Sequence, residues 1–182
     1  FSGKSNEYRN IGKLFSIINR WIKRTFSNIE FLQFHMVPGN HDMNFEGKSR
    51  NRIMSQLKSK ELNDTDIAEE LSKFNNFYEF SSRNKCFIYN KLIHCKIINK
   101  QFEPIQLNLV NTELFSTYSD ENGDDDKGLH VLPEQEYVNL NKKPFTKYSI
   151  TVMHRGEEWF NWENASILKE KIYKNSNIII CG

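Results

Sequence analysis

No stretch of this sequence stays apolar for long enough to span a bilayer, so a membrane-crossing helix is not expected and no membrane partner is expected. Cysteine is scarce. Cys86, Cys95 and Cys181 are the only three, and their spacings match neither a zinc motif nor a disulfide framework. They read as reduced thiols of a cytoplasmic protein. Charge of one sign is also missing: 25 basic residues face 23 acidic ones, for a formal net charge of +2. That balance gives no support, from the field alone, to nucleic acid or an anionic membrane as a partner. There is no initiator methionine, because the chain begins at Phe1, and its start reads as an internal cut.

Two familiar loops are present only in part. Phe1-Ser2-Gly3-Lys4-Ser5 has the ending of a phosphate-binding loop without its first glycine. It reads instead as a turn leading into a helix capped by Ser5. Residues 119–128 alternate Asp120, Asn122 and Asp124 as a calcium loop does. Asp125 stands where that loop needs glycine, and Val131 where it needs glutamate, so a solvated surface loop is expected.

What is present is enough for one domain with a real core, covering 1–182 and rich in phenylalanine. Tyr8, Ile11, Leu14, Phe15, Ile18 and Ile22 recur at helical spacing. Arg9, Lys13, Arg20, Lys23 and Arg24 fall off that stripe and read as a solvated outer face. An apolar segment at 31–37 predicts a strand. Helical patterns follow, one carried by Ile53, Met54 and Leu57, the next starting near Asp64-Thr65 and running through Ile67, Leu71 and Phe74. Two strand-like runs, 91–99 and 105–110, flank a short turn at 101–104 and predict an antiparallel pair. Phe74, Phe77, Tyr78 and Phe80 are expected to form core beneath it. A short helix is expected from Pro133 through 134–140. The last third reads as a strand at 148–153, a helix at 164–173 with Ile167, Leu168 and Ile172 inward, and a strand at Ile178-Ile179-Ile180. Strands alternating with helices predict an α/β layered sandwich.

One segment carries the chemistry. Val37-Pro38-Gly39-Asn40-His41-Asp42 places an amide, an imidazole and a carboxylate in consecutive positions just after an apolar segment. Strand-end loops are where α/β proteins place their sites. An amide oxygen or neutral imidazole ligates metals, and a protonated imidazole assists a leaving group. A polar turn explains the same residue types, since Gly, Asn and Asp all form turns.

This Val-Pro-Gly-Asn-His-Asp, followed much later by Val152-Met153-His154 at another strand end, resembles the calcineurin-like metallophosphoesterase family. Phe1-Ser2-Gly3-Lys4 with Glu7-Tyr8 resembles the segment after that family's Gly-Asp motif. Asn111-Thr112-Glu113-Leu114 resembles its mid-domain strand end. The resemblance implies two mixed β-sheets flanked by helices, an αββα sandwich, with a two-metal centre at the strand carboxyl ends. It implies Asn40 and His154 as ligands of one metal, with His41 as the acid for the leaving group and Asp42 orienting it. Two divalent ions (Mn, Fe, Zn or Ni) and a phosphomonoester or phosphodiester substrate are implied with them. The family's Asp-x-His and Gly-Asp motifs would lie before Phe1, and its closing Gly-His-x-His would begin at Gly182. The chain therefore reads as cut inside the site at both ends. Arg155 stands where many members have a second His, and reads either as a phosphate contact or as a surface salt bridge. The alternative function is a non-catalytic interaction module that keeps the fold without a complete metal centre. A nuclease is compatible with the same chemistry.

Overall fold

The computed structural model describes residues 4–29, 32–44, 64–84, 86, 92–98, 103–116, 127–132 and 146–182. The helical pattern around Ile53, the helix from Pro133, Phe1 to Gly3 and all but the end of the acidic loop lie outside them.

Helix α1, Ser5–Thr25, follows the apolar stripe except at Leu14, which is exposed. The capping position is Lys4, one residue before the expected Ser5, and the Glu7 carboxylate accepts the Lys4 backbone N–H at 2.9 Å. Lys23 and Arg24 complement the dipole in the last turn. The pattern through Ile67, Leu71 and Phe74 is two helices, α2 (Asp64–Ser72) and α3 (Asn75–Arg83), broken at Lys73-Phe74. At the break, Lys73 and Glu70 form a buried ion pair, and the Lys73 carbonyl accepts the Asn44 N–H at 2.9 Å. Phe74, Phe77, Tyr78 and Phe80 are all buried, as expected. Each such ring contributes on the order of 1.5–3 kcal/mol by leaving water.

Strands β1 (Ile93–Ile98) and β2 (Ile105–Val110) pair antiparallel, with Ile93 opposite Val110 and Ile98 opposite Ile105. Strand β3 (Tyr148–Met153) joins β2 in parallel, and β4 (Ile178–Cys181) joins β3 in parallel after helix α4 (Trp162–Lys171). The Asn161 side chain caps α4 by accepting the Asn164 N–H at 3.0 Å. Leu168 and Ile172 point inward as expected. The described residues thus form an α/β unit on one four-stranded mixed sheet in the order β1-β2-β3-β4.

One expected strand is not among them. Residues 32–37 carry no regular secondary structure and belong to none of the four strands. Their apolar side chains are used in packing: Phe34 stacks on Phe15 of α1 at 4.0 Å, and Met36 and Val37 lie against the core. A short apolar run has the same composition whether it enters a ladder or lies along a helix. All three cysteines are free thiols, Cys86 buried and the other two exposed. No described helix is long and apolar enough to cross a membrane.

Candidate functional site

In the parallel register, Val110, Met153 and Cys181 stand side by side at the carboxyl ends of β2, β3 and β4. Each strand therefore delivers its next residues to one edge: Asn111 to Glu113, His154-Arg155, and Gly182. The Gly182 N–H donates to the His154 carbonyl at 2.9 Å, extending the pairing by one step. A Cβ at Gly182 would come within 2.6 Å of His154 Nδ1, so the glycine leaves room for the imidazole.

The Pro38-Gly39 turn reaches the same edge. Residues Asn40–Asp42 form one turn of 3-10 helix, closed by the Asp42 N–H donating to the Gly39 carbonyl at 3.0 Å. Asp42 holds this turn from its side chain. Its Oδ1 accepts the Tyr8 hydroxyl at 2.6 Å and its Oδ2 accepts the Gly39 N–H at 2.8 Å. Burial pushes the Asp42 carboxyl above its ordinary range, while the Tyr8 and Gly39 hydrogen bonds, then His154 and His41 nearby, pull part of that back. Tyr8 is the counterpart: burial first, then the Asp42 charge and hydrogen bond, push its hydroxyl far up, so it stays a donor.

The loop brings Asn40 to His154 across 114 residues of sequence, with Asn40 Oδ1 3.3 Å from His154 Nε2. That separation is long for a hydrogen bond and suits a second arrangement. Two donors on one ion, each about 2.0–2.2 Å from it and at roughly 90–110° to each other, lie about 3.0–3.5 Å apart. The donor set fits one corner of a metal site on geometry and chemistry, an amide oxygen and an imidazole nitrogen. Among the described residues, no group of three or more His, Cys, Asp and Glu side chains comes together to complete a cage. His41, which follows Asn40 in the motif, sits in the 3-10 turn with its side chain exposed to solvent.

Compared with known proteins, the chain matches no family model, no curated protein and no solved structure.

Beside this corner lies a buried polar network that residue types alone do not announce. Arg155 Nε pairs with Glu113 Oε2 at 3.0 Å, with the two side chains 7% and 0% exposed. Of the two readings of Arg155, phosphate contact or surface salt bridge, the salt bridge is the one seen, and it is buried. Glu113 also accepts the hydroxyls of Thr112 at 3.0 Å and Ser116 at 2.8 Å. Its backbone N–H donates to Asn111 Oδ1 at 2.9 Å, and Asn111 Nδ2 donates to the Tyr78 hydroxyl at 3.2 Å. The Arg155 N–H donates to Thr112 Oγ1 at 3.0 Å, and its guanidinium lies 3.6 Å from the centre of the Trp159 ring. His130 Nδ1 donates to the Thr112 carbonyl at 3.1 Å. The network ties the end of β2 to the residue after His154 and so fixes where the imidazole stands. Arg155 faces Glu113 and Trp159, which makes it a brace of this turn.

The Tyr8–Asp42 bond gives a prediction of its own. Tyr8→Phe keeps the ring that stacks on Phe80 at 5.2 Å and removes only the donor. Hydrogen bonds to charged groups contribute about 1.5–3 kcal/mol, so a loss of about 2 kcal/mol is expected wherever the Asp42 carboxyl is ionised. The sign with pH follows from the direction of the shift. A native carboxyl raised above its unfolded value binds its proton more tightly when folded, so ionising it costs stability as pH rises through the native value. Without Tyr8 that value rises further. The Tyr8→Phe deficit should be full above it and shrink as pH falls through it, as read by urea unfolding at several pH values. A deficit independent of pH would assign the loss to packing.

Proposed function

We propose that this chain carries one corner of a divalent-metal-dependent phosphoesterase site, with hydrolysis of phosphomonoesters or phosphodiesters as its chemistry. The observation that carries the reading is the meeting of Asn40 Oδ1 and His154 Nε2 at 3.3 Å from two separate loops. Both residues come from the motifs that resemble the metallophosphoesterase family. The two-sheet sandwich of that family belongs to the same proposal.

Asn40 and His154 would hold one ion, their orientation set by the Gly39 turn, by Asp42 and by the Glu113–Arg155 brace. When bound, a pair of divalent ions supplies charge neutralisation at the phosphoryl oxygens and an activated water. The chain's own further contribution is His41. Its side chain is exposed in the 3-10 turn, on the solvent side where a leaving group would lie. As water attacks phosphorus and the bond to the leaving oxygen breaks, an imidazolium at His41 would give that oxygen a proton. Asp42 would act through the turn that carries His41.

A second reading is an interaction module that keeps this loop without metal chemistry. It draws on Asp42, the one carboxylate of the motif, whose two oxygens are engaged by Tyr8 and Gly39. That leaves Asn40 and His154, two neutral donors, as a weak anchor for a divalent ion.

The test is hydrolysis of an aryl phosphate and a bis-aryl phosphate by this chain with Mn²⁺. Metal-dependent turnover that falls with His41→Ala supports the enzyme. A folded chain that neither binds Mn²⁺ nor turns over supports the interaction module.

A further inference from the structure

Helix α1 presents two faces, and the site uses only one of them. Tyr8, Ile11 and Phe15 pack inward, with Tyr8 and Phe15 against Phe80 of α3. On the other side Leu14, Ile17 and Trp21 are 52%, 59% and 61% exposed. At 3.6 residues per turn these three form a single stripe. Arg9, Lys13, Arg20 and Arg24 form the adjoining stripe, with Lys23 beside it, and all five are exposed. The only carboxylate on the helix is Glu7, in its first turn. Thus α1 alone carries +4 while the whole chain carries +2, which leaves the remainder at −2. The near-neutral total conceals a local cationic face.

We propose that this outer face of α1 docks on an anionic lipid surface, the helix lying in the membrane plane. Leu14, Ile17 and Trp21 would enter the headgroup boundary, and the flanking Arg and Lys side chains would reach the phosphates. An apolar stripe beside a basic one, with tryptophan among its members, is the pattern of interfacial helices. Long basic side chains cover apolar surface while keeping their charge in water, which suits the same boundary. Charge complementarity selects an anionic occupant and disfavours a second copy of this chain, which would bring +4 against +4. A partner whose groove wraps a helix is excluded by the inward face, already packed on α3. A flat anionic surface meets both conditions. Nucleic acid satisfies the charge but offers no counterpart for a run of leucine, isoleucine and tryptophan. The proposal is independent of the phosphoesterase reading.

The experiment is co-sedimentation with phosphatidylcholine vesicles, with and without roughly 30 mol% phosphatidylserine. The chain should sediment with the anionic vesicles only, and raising the salt to about 0.5 M should release most of it. The triple variant Leu14→Ser, Ile17→Ser, Trp21→Ser changes exposed positions alone, and its circular dichroism should match the parent. Its binding should fall at least tenfold. The blue shift of tryptophan emission on adding anionic vesicles should disappear in Trp21→Phe. Failure of the parent chain to sediment, equal binding by the triple variant, or binding to an oligonucleotide but not to vesicles would each overturn the proposal.

Discussion

Glu113→Ala is expected to remove about 3–5 kcal/mol of folding stability, a large share of what a domain of ordinary size possesses. The carboxylate is fully buried and pairs with the Arg155 guanidinium at 3.0 Å, which is itself almost wholly buried. Truncating the acid strands that charge in a medium that cannot solvate it. It also removes the acceptor for the Thr112 and Ser116 hydroxyls. Glu113→Gln keeps the shape and, with its one carbonyl oxygen in the Oε2 position, can still accept from Arg155 and Ser116 while losing the charge, so its loss should be smaller. The measurement is the urea midpoint of each variant at unchanged slope, which isolates a change of stability from a change in compactness. A loss under about 1 kcal/mol for Glu113→Ala would mean that the pair is screened as surface pairs are.

His41→Ala is expected to lower turnover of an alkyl phosphate by about 10²–10⁴-fold with bound metal retained. The argument rests on placement. His41 is exposed in the 3-10 turn, whereas Asn40 in the same turn meets His154, so its removal leaves the proposed ligand pair intact. A proton donor matters most when the leaving oxygen is basic. The loss should therefore be smaller for an aryl phosphate, whose phenolate leaves readily, than for an alkyl one. His154→Ala should differ in kind, losing metal and turnover together. Equal losses for the two substrates would remove His41 from the role of acid and leave it a positioning residue.

Much of the fold was legible from local pattern. Ile105–Val110 is the segment expected, because Pro104 and Asn111 punctuate it and its alternation suits a sheet. The strand Tyr148–Met153 and the buried aromatic cluster of α3 follow for the same reason. Residues 32–37 misled because an apolar run does not say what it packs on, and Phe15 supplied the partner. The break between α2 and α3 was hidden because the apolar period runs on through Phe74 and Phe77, while the buried Glu70–Lys73 pair and the Asn44–Lys73 backbone bond that mark it carry no local pattern. In the site, the Asn40–His154 pairing was anticipated through motif resemblance. The braces were not. Arg and Glu are read as surface residues, and nothing local tells Glu113 that Arg155 lies across two strand ends, or Asp42 that Tyr8 stands over it. Long-range polar contacts carry no periodicity, so the structure alone reveals them.

The most direct test of the proposed metal corner is the paramagnetic effect of Mn²⁺ on the side-chain NMR signals of this chain. Binding by two neutral donors is expected to be weak but selective. Titration should broaden the His154 ring and the Asn40 amide first, ahead of the rings of His35, His94 and His130. Asn40→Ala should abolish the preference for His154. Broadening that spares His154, or that spreads over carboxylates with no order of preference, would contradict the account.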